Sequence, residues 1–368
     1  MNILLHGAVS GSNFGDCLFA DIFYNTLRQA FPDDNIWFFD RQPFGISQYL
    51  RSSLDYRYIM SDDDYNKVDA LVYISGGYLG EDKKSLKESL VRYKRYVQLG
   101  KKYISKKIPI LIIGLEVGPI YYGFLRKGIR NILDRSVVLT VRNKESYDYC
   151  VENLKIRKAI KTQDTAICVA SMDIPQTTGK LDRLFEDAKK TLFLHVPFGA
   201  KDDEKYKSNI LIPVVDFCKK HTEYSVIYGM DNEEKNTDLT FIEELFKSES
   251  ILCRHYLYSS YWEMCSLLSR VDFIVTTKLH TGIIGAAYGR AVVSTPVHRF
   301  KTERFYHEIG YSDHSYSYHN LTPQIMDTLL EEKHDKKIIL DKSVYDKSLS
   351  NLTTLTDSLK KIRENIKA

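Results

Sequence analysis

The chain lacks an excess of charge of either sign. Its 52 lysines and arginines stand against 48 aspartates and glutamates, a net charge of +4. No C2H2 pattern, RNA-binding aromatic signature or basic-region zipper is present. No nucleic-acid partner is therefore expected. Cysteine is sparse: Cys17, Cys150, Cys168, Cys218, Cys253 and Cys265 form no CxxC. Such spacing points to reduced, mostly buried thiols of a cytoplasmic protein rather than a disulfide framework. The Asn-Leu-Thr triplets at Asn320 and Asn351 are then chance matches to a glycosylation pattern.

Long hydrophobic runs are also missing. The longest apolar stretch, residues 108–125, is interrupted by Gly114, Glu116, Gly118 and Pro119. A membrane-spanning helix needs roughly 20 apolar residues without such breaks. The opening "MNILLHGAVSGSNFGD" has neither a basic segment nor a long apolar core and reads as a first strand. No short-period repeat and no low-complexity tract occurs. Several motifs are absent too: G-x-G-x-x-G, Gly-Lys-Ser/Thr after a glycine loop, G-x-S-x-G, HExxH and any zinc-ligand spacing. No metal ligand and no cofactor is expected.

What is present is a soluble globular composition, 43% hydrophobic and 27% charged, in a chain of 368 residues. That length predicts two domains. Short apolar runs alternate with helix-period segments along the whole chain. Strands are expected at Met1–His6, Asn35–Phe39, Ala70–Ser75, Ile108–Gly114, Val137–Val141 and Thr165–Ala170. The Lys84–Leu99 segment has helical spacing, with Leu86, Leu90, Val91 and Tyr93 near one side. After a polar stretch at Asp173–Lys180 the pattern restarts, with strands at Thr191–Val196, Tyr224–Tyr228, Ser250–Arg254, Phe273–Thr276 and Val292–Thr295. Continuously apolar strands separated by helices imply parallel sheets covered on both faces. The expected architecture is α/β, two Rossmann-like doubly wound domains facing across a cleft. The boundaries are 1–175, 176–325, and C-terminal helices at 326–368 that pack back on the first domain.

In open α/β sheets ligands sit beyond the carboxyl ends of the strands, so the strand-end loops carry the candidate chemistry. "HGAVSGSNFGD" follows the first strand with a G-x3-G-x3-G spacing. Asn13, Gly15 and Asp16 there either hold an anion at a helix N-terminus or only cap the helix. Gly76 and Gly77 end another strand and admit a ligand or a neighbouring loop. Glu116 follows a buried strand, where a carboxylate must face a wet cleft or be salt-bridged. Arg142 stands at a strand mouth, placed to grip a carboxylate or phosphate, or simply exposed. Most informative is "TTKLHTGIIGAA" at residues 276–287. Lys278 and His280, two apart in an extended segment, point the same way. A helix of small residues follows from Gly282, and Lys301 comes after the next strand. Two lysines, a histidine and bare helix N–H groups suit a multiply charged small anion that also needs a proton. The acidic "SDDDYN" run at residues 61–66 reads as a solvated loop.

In order along the chain, these pieces resemble the polysaccharide pyruvyl transferase family. Asn13-Phe14-Gly15-Asp16 is similar to its N-x-G-D loop, Ser75-Gly76-Gly77 to its glycine strand end, and Gly114 through Gly118-Pro119 to its glycine–proline turn. Val141-Arg142 with Ser146, and Asp164-Thr165-Ala166, are similar to two further segments. Lys278-Leu279-His280, Pro296 and Lys301 are similar to its C-terminal signature. Three positions depart from the pattern: Lys278 replaces the usual arginine, Thr281 the usual glycine or alanine, and Tyr78 a third glycine. Lysine keeps the charge but loses the planar fork.

The resemblance implies a GT-B-like fold and transfer of a pyruvate unit from phosphoenolpyruvate, a co-substrate, to a sugar. The product is a cyclic ketal and phosphate is released. It implies His280 as general acid, Asp16 as base or acceptor toward a sugar hydroxyl, and Lys278, Lys301 and Arg142 orienting carboxylate and phosphate. Asn13, Gly15, Gly76, Gly77, Glu116, Leu279 and Thr281 complete the expected substrate contacts. The first domain would serve the acceptor and the second phosphoenolpyruvate. If the acceptor is lipid-linked, "YYGFLRKGIR" is a candidate contact with the inner membrane face. A GT-B glycosyltransferase using a sugar nucleotide and a non-catalytic sugar- or anion-binding relative are the competing readings.

Overall fold

The computed structural model describes residues 1–39, 50, 57–59, 62–173, 179, 181–232, 238–297 and 299–367. Most of the polar stretch at Asp173–Lys180 and the start of the acidic run lie outside them. The chain forms two compact units, Met1–Thr165 with Ser343–Ala368, and Ala166–Lys342. The segment expected as one C-terminal piece is therefore divided. The Pro323–Lys333 helix belongs to the second unit, whereas the last helix, Lys342–Lys367, belongs to the first.

Among the described residues the first unit holds eight strands: β1 (Asn2–His6), β2 (Asn35–Phe39), β3 (Arg57–Ile59), β4 (Ala70–Tyr73), β5 (Gly76–Leu79), β6 (Ile110–Val117), β7 (Val138–Val141) and β8 (Ile160–Lys161). Their order is β3-β2-β1-β4-β6-β7-β8, with β5 also on β6. Every pairing is parallel. Residues such as Leu4, Leu71, Ile112 and Leu115 are fully buried, as continuous apolar strands require when both faces are covered. The second unit holds β9 (Lys190–His195), β10 (Tyr224–Gly229), β11 (Cys253–Tyr256), β12 (Phe273–Thr276) and β13 (Ala291–Ser294), ordered β11-β10-β9-β12-β13 and all parallel. In both sheets the strand order reverses beside the first strand, between β1 and β4 and between β9 and β12. Such a switch point opens a crevice at the carboxyl ends of the strands.

Four local expectations fail. Thr165–Ala170 is not a strand but part of a 3-10 helix, Thr165–Ser171; the edge of the first sheet is taken by β8. The helix after β1, for which the sequence spacing predicts Asp21–Phe31, starts at Phe14 and runs to Ala30, because Asn13 caps it: its side chain accepts from the Gly15 N–H at 3.1 Å. In the Leu86–Arg92 helix, Leu86, Leu90 and Val91 are exposed. The buried side of that turn carries Ser89, whose hydroxyl is bonded to Glu81. The acidic run forms one short helix, Asp62–Asn66, rather than a loop.

Candidate functional site

In the first unit β1 ends on His6, which is buried against the rings of Phe39, Tyr73 and Tyr96. Its Nε2 lies 3.1 Å from the Arg95 carbonyl. Burial, reinforced by the Arg95 charge, pushes its imidazole down to about 3, so it is neutral at physiological pH. Asn13 and Gly15 form the capped entry to the following helix, and Asp16 is half-buried in its first turn. The negative charge of Asp16 reaches the phenols of Tyr78 and Tyr96, adding to the burial that holds both well up. Gly76 and Gly77 open β5 rather than forming a terminal turn.

Glu116 and Arg142 answer the open alternatives in one direction. Both are buried, and the guanidinium is bonded to Glu116 and, at 2.8 Å, to Asp164. Burial disfavours the Arg142 charge, but the two carboxylates outweigh that and raise its pKa. The expected open strand mouth is therefore occupied by a closed triad. Beside it lies Gly114, whose φ of +63° is left-handed. A Cβ there would run into the Ser75 and Thr165 hydroxyls. Asn351, from the last helix, joins the same layer. Its carbonyl accepts from Thr140 at 2.8 Å and Thr162 at 2.9 Å, and its amide donates to Gln163 O at 2.9 Å and Thr165 Oγ1 at 3.0 Å. A buried amide with this many bonds is not an accessible glycosylation site.

In the second unit the switch point is built from polar strand ends. β9 ends on His195, Asp231 follows β10, and Thr277 and Lys278 follow β12. His195 Nε2 lies 3.3 Å from Asp231 Oδ1, and His195 Nδ1 lies 3.2 Å from Thr277 Oγ1. The Lys278 ammonium is 3.6 Å from the same Asp231 oxygen. Burial alone would raise the Asp231 carboxyl; the His195 bond and charge, with the Lys278 charge, overcome it and hold the group at about 2. Asp231 is thus an anion that orients both a histidine and the half-exposed Lys278.

The helix after β12 begins three residues earlier than expected, at Leu279, and runs to Ala287. Lys278 holds its N-cap position, with extended φ −110° and ψ 140°. The extended-segment geometry expected for Lys278 and His280 therefore does not occur. Lys278 flanks the helix end, whereas half-buried His280 and buried Thr281 lie within the first turn. The small residues act as expected. Gly285 packs on Ile274 of β12, and Gly282 faces Tyr306, whose hydroxyl lies 2.5 Å from where a Cβ would stand. Tyr306 belongs to the Arg299–Glu308 helix, which also carries half-buried Lys301.

Lys278, Leu279, His280 and Thr281 are thus gathered at one helix end, with Lys301 on the helix packed beside it. Asn13, Gly15, Asp16, Gly76, Gly77, Glu116 and Arg142 belong to the first unit. Sequence reasoning missed His195, Asp231 and Thr277. The available signal was a polar residue closing an apolar strand, as in "TLFLH" and in "NILLH" of β1.

Two parallel, doubly wound α/β units define a GT-B-like protein. Solved structures of that architecture match over nearly the whole chain. The UDP-GlcNAc 2-epimerase of Neisseria meningitidis, bound to UDP-GlcNAc, has a TM-score of 0.64 at 13% identity, covering 97% of this chain and 100% of its own. The putative UDP-N-acetylglucosamine 2-epimerase of Listeria monocytogenes gives 0.65 at 9%, covering 98% of each. Acinetobacter baumannii MurG gives 0.55 at 12%, covering 98% and 99%. None of the curated proteins matches the sequence. The family model for polysaccharide pyruvyl transferase matches residues 13–299, and the chain belongs to that family. The matched range contains every candidate site residue except Lys301. Among the described residues no helix is long and apolar enough to cross a membrane.

Proposed function

We propose that this chain transfers pyruvate from phosphoenolpyruvate to a sugar of a cell-surface polysaccharide or its lipid-linked precursor, as a ketal. One observation carries the reading: Lys278 caps, and His280 lies in the first turn of, a helix at the switch point of the second sheet, with Lys278 anchored by Asp231. A helix N-terminus and an ammonium suit a ligand bearing carboxylate and phosphate. Histidine is the side chain whose charge changes near neutral pH, as proton delivery requires.

His280 donates its proton to the methylene carbon of phosphoenolpyruvate, which becomes a methyl group and leaves C2 cationic. A sugar hydroxyl adds to C2 and loses its proton. The C2–O bond to phosphate then breaks, and a second hydroxyl adds and loses its proton. One phosphoenolpyruvate and one diol give one ketal and one phosphate; of the two hydroxyl protons released, one returns to His280 and the other leaves with the phosphate. Lys278 and Lys301 hold the donor's anionic groups, with Leu279 and Thr281 shaping the helix end. The first unit serves the acceptor, where Asp16 takes a hydroxyl proton and Asn13, Gly15, Gly76 and Gly77 frame the loop. Arg142, paired with Glu116 and Asp164, maintains that frame instead of gripping the donor. Contact with an anionic inner membrane face accompanies a lipid-linked acceptor; exposed Tyr121 and Phe124 beside exposed Lys127 and Arg130 support it. The six cysteines are in no disulfide and five of them are buried, which fits the reducing cytoplasm.

The test is incubation with phosphoenolpyruvate and candidate glycans, followed by phosphate release and mass analysis for added pyruvate. The expected result is both signals, reduced roughly 10²–10⁴-fold in a folded His280→Gln protein. Nucleotide release from a sugar nucleotide, or donor binding without product under any acceptor, overturns the reading.

A further inference from the structure

The sequence offers no histidine set at metal-binding spacing, yet the fold of the second unit assembles one. His221 closes the Ile212–Lys220 helix, whereas Glu331 and His334 lie on the last turn and the C-cap of the Pro323–Lys333 helix. One ligand atom from each of the three lies within 4.8 Å of the other two. We propose that His221, Glu331 and His334 form a site for a divalent transition-metal ion of the zinc class, separate from the strand-end chemistry described above.

The donor set fits that class. Two imidazoles and one carboxylate suit zinc and its neighbours, whereas calcium takes six to eight oxygens. Ligand atoms at ~2.0–2.2 Å from one tetrahedral zinc lie roughly 3.3–3.6 Å apart, so small side-chain rotations close the set. His221 Nε2 already lies 2.9 Å from Glu331 Oε2. Lys220 occupies the other carboxylate oxygen, Oε1, at 3.3 Å, and so leaves Oε2 to an ion.

Both histidines have polar neighbours at Nδ1, and outer partners of that kind fix ligand histidines. His334 Nδ1 lies 3.4 Å from the Tyr224 hydroxyl and 3.4 Å from Asp335 Oδ2. His221 Nδ1 lies 3.8 Å from Glu223 Oε1. The His221 ring is stacked on Phe217 at 4.4 Å, and the two imidazoles are 4.7 Å apart between centroids. Phe217 is buried, so one ring is fixed by the core. An ion here would fasten the end of the Pro323–Lys333 helix to the turn that leads into β10.

The test is calorimetric titration of the full, chelator-treated chain with zinc chloride, with calcium chloride as control, and thermal unfolding with and without zinc. The expected result is one zinc equivalent, no calcium heat, and a rise in the thermal midpoint. His334→Ala and Glu331→Gln should each abolish the equivalent and the rise. Tyr224→Phe should weaken binding about tenfold by releasing the outer partner of His334. No zinc binding by the wild-type chain overturns the proposal, as does undiminished binding by folded His334→Ala and Glu331→Gln proteins.

Discussion

The Asp231 carboxylate stands 3.3 Å from His195 and 3.6 Å from Lys278, joining the ends of β9 and β10 to the residue that follows β12. Its pKa is depressed from 3.8 to about 2. The linked stability is therefore fully present above pH ~4 and is lost as pH falls toward ~2. The total is on the order of 2 kcal/mol, about half of it gone by pH 3. Urea unfolding at pH 5 and pH 3 checks this: Asp231→Asn should show less acid loss than wild type, by about 1 kcal/mol. Equal losses in the two proteins would contradict the pairing.

Lys278 holds the N-cap position of the helix after β12. Lys278→Met should raise the KM for phosphoenolpyruvate roughly 10–100-fold, the worth of one or two charge-assisted bonds, with a smaller change in kcat. Lys278→Arg should retain most activity. Steady-state kinetics with phosphate detection measures both. An unchanged KM in Lys278→Met would remove this side chain from donor binding.

His6 is buried neutral, with its pKa lowered from 6.5 to about 3. The unfolded chain binds a proton there that the folded chain refuses, so stability is full above pH ~6.5 and declines as pH falls toward ~3. Between pH 7 and 5 the cost is about 2 kcal/mol. His6→Gln has no titrating group and should flatten that segment of the stability–pH curve, read from urea midpoints. A wild-type slope that persists in the variant would assign it elsewhere.

Asn351 satisfies three threonine hydroxyls and a backbone carbonyl at once. Asn351→Ala leaves buried partners unsatisfied at about 1–3 kcal/mol for each group affected. Chemical denaturation should show this loss. A loss below about 0.5 kcal/mol, the range of ordinary surface substitutions, would mean the network rearranges freely.

The exposed Phe124 ring lies 5.7 Å from Tyr93 and close to Tyr122, beside exposed Lys127 and Arg130. Co-sedimentation with vesicles containing anionic phospholipid should fall with added salt and in a Phe124→Ser, Lys127→Glu double variant. Equal binding to neutral vesicles would rule out an electrostatic membrane contact.

Much of this was legible in the chain. Continuous apolar strands such as "ILIIG" and "FIVT" declare parallel sheets, because only strands covered on both faces are apolar throughout. The small residues of "TGIIGAA" announce close helix–sheet packing, and Gly282 and Gly285 provide it. Family membership was readable for the same reason: short loops at strand ends keep their order along the sequence.

Helix starts were less legible. Lys278 through His280 read as an extended strand end, and only the hydrogen bonds of the fold place the cap at Lys278. Arg142 could not be distinguished from an exposed arginine, since its partners Glu116 and Asp164 lie 26 and 22 residues away in sequence.

The sequence by itself determined two parallel α/β sheets, the family, and the residue types at each strand mouth, because these follow from local periodicity and loop composition. Only the tertiary structure decided that His195 and Asp231 stand behind Lys278, that Arg142 is enclosed by carboxylates, and that His221 meets Glu331 and His334. Those pairings depend on which strand ends and helix ends the sheet order brings side by side, and no local pattern encodes that.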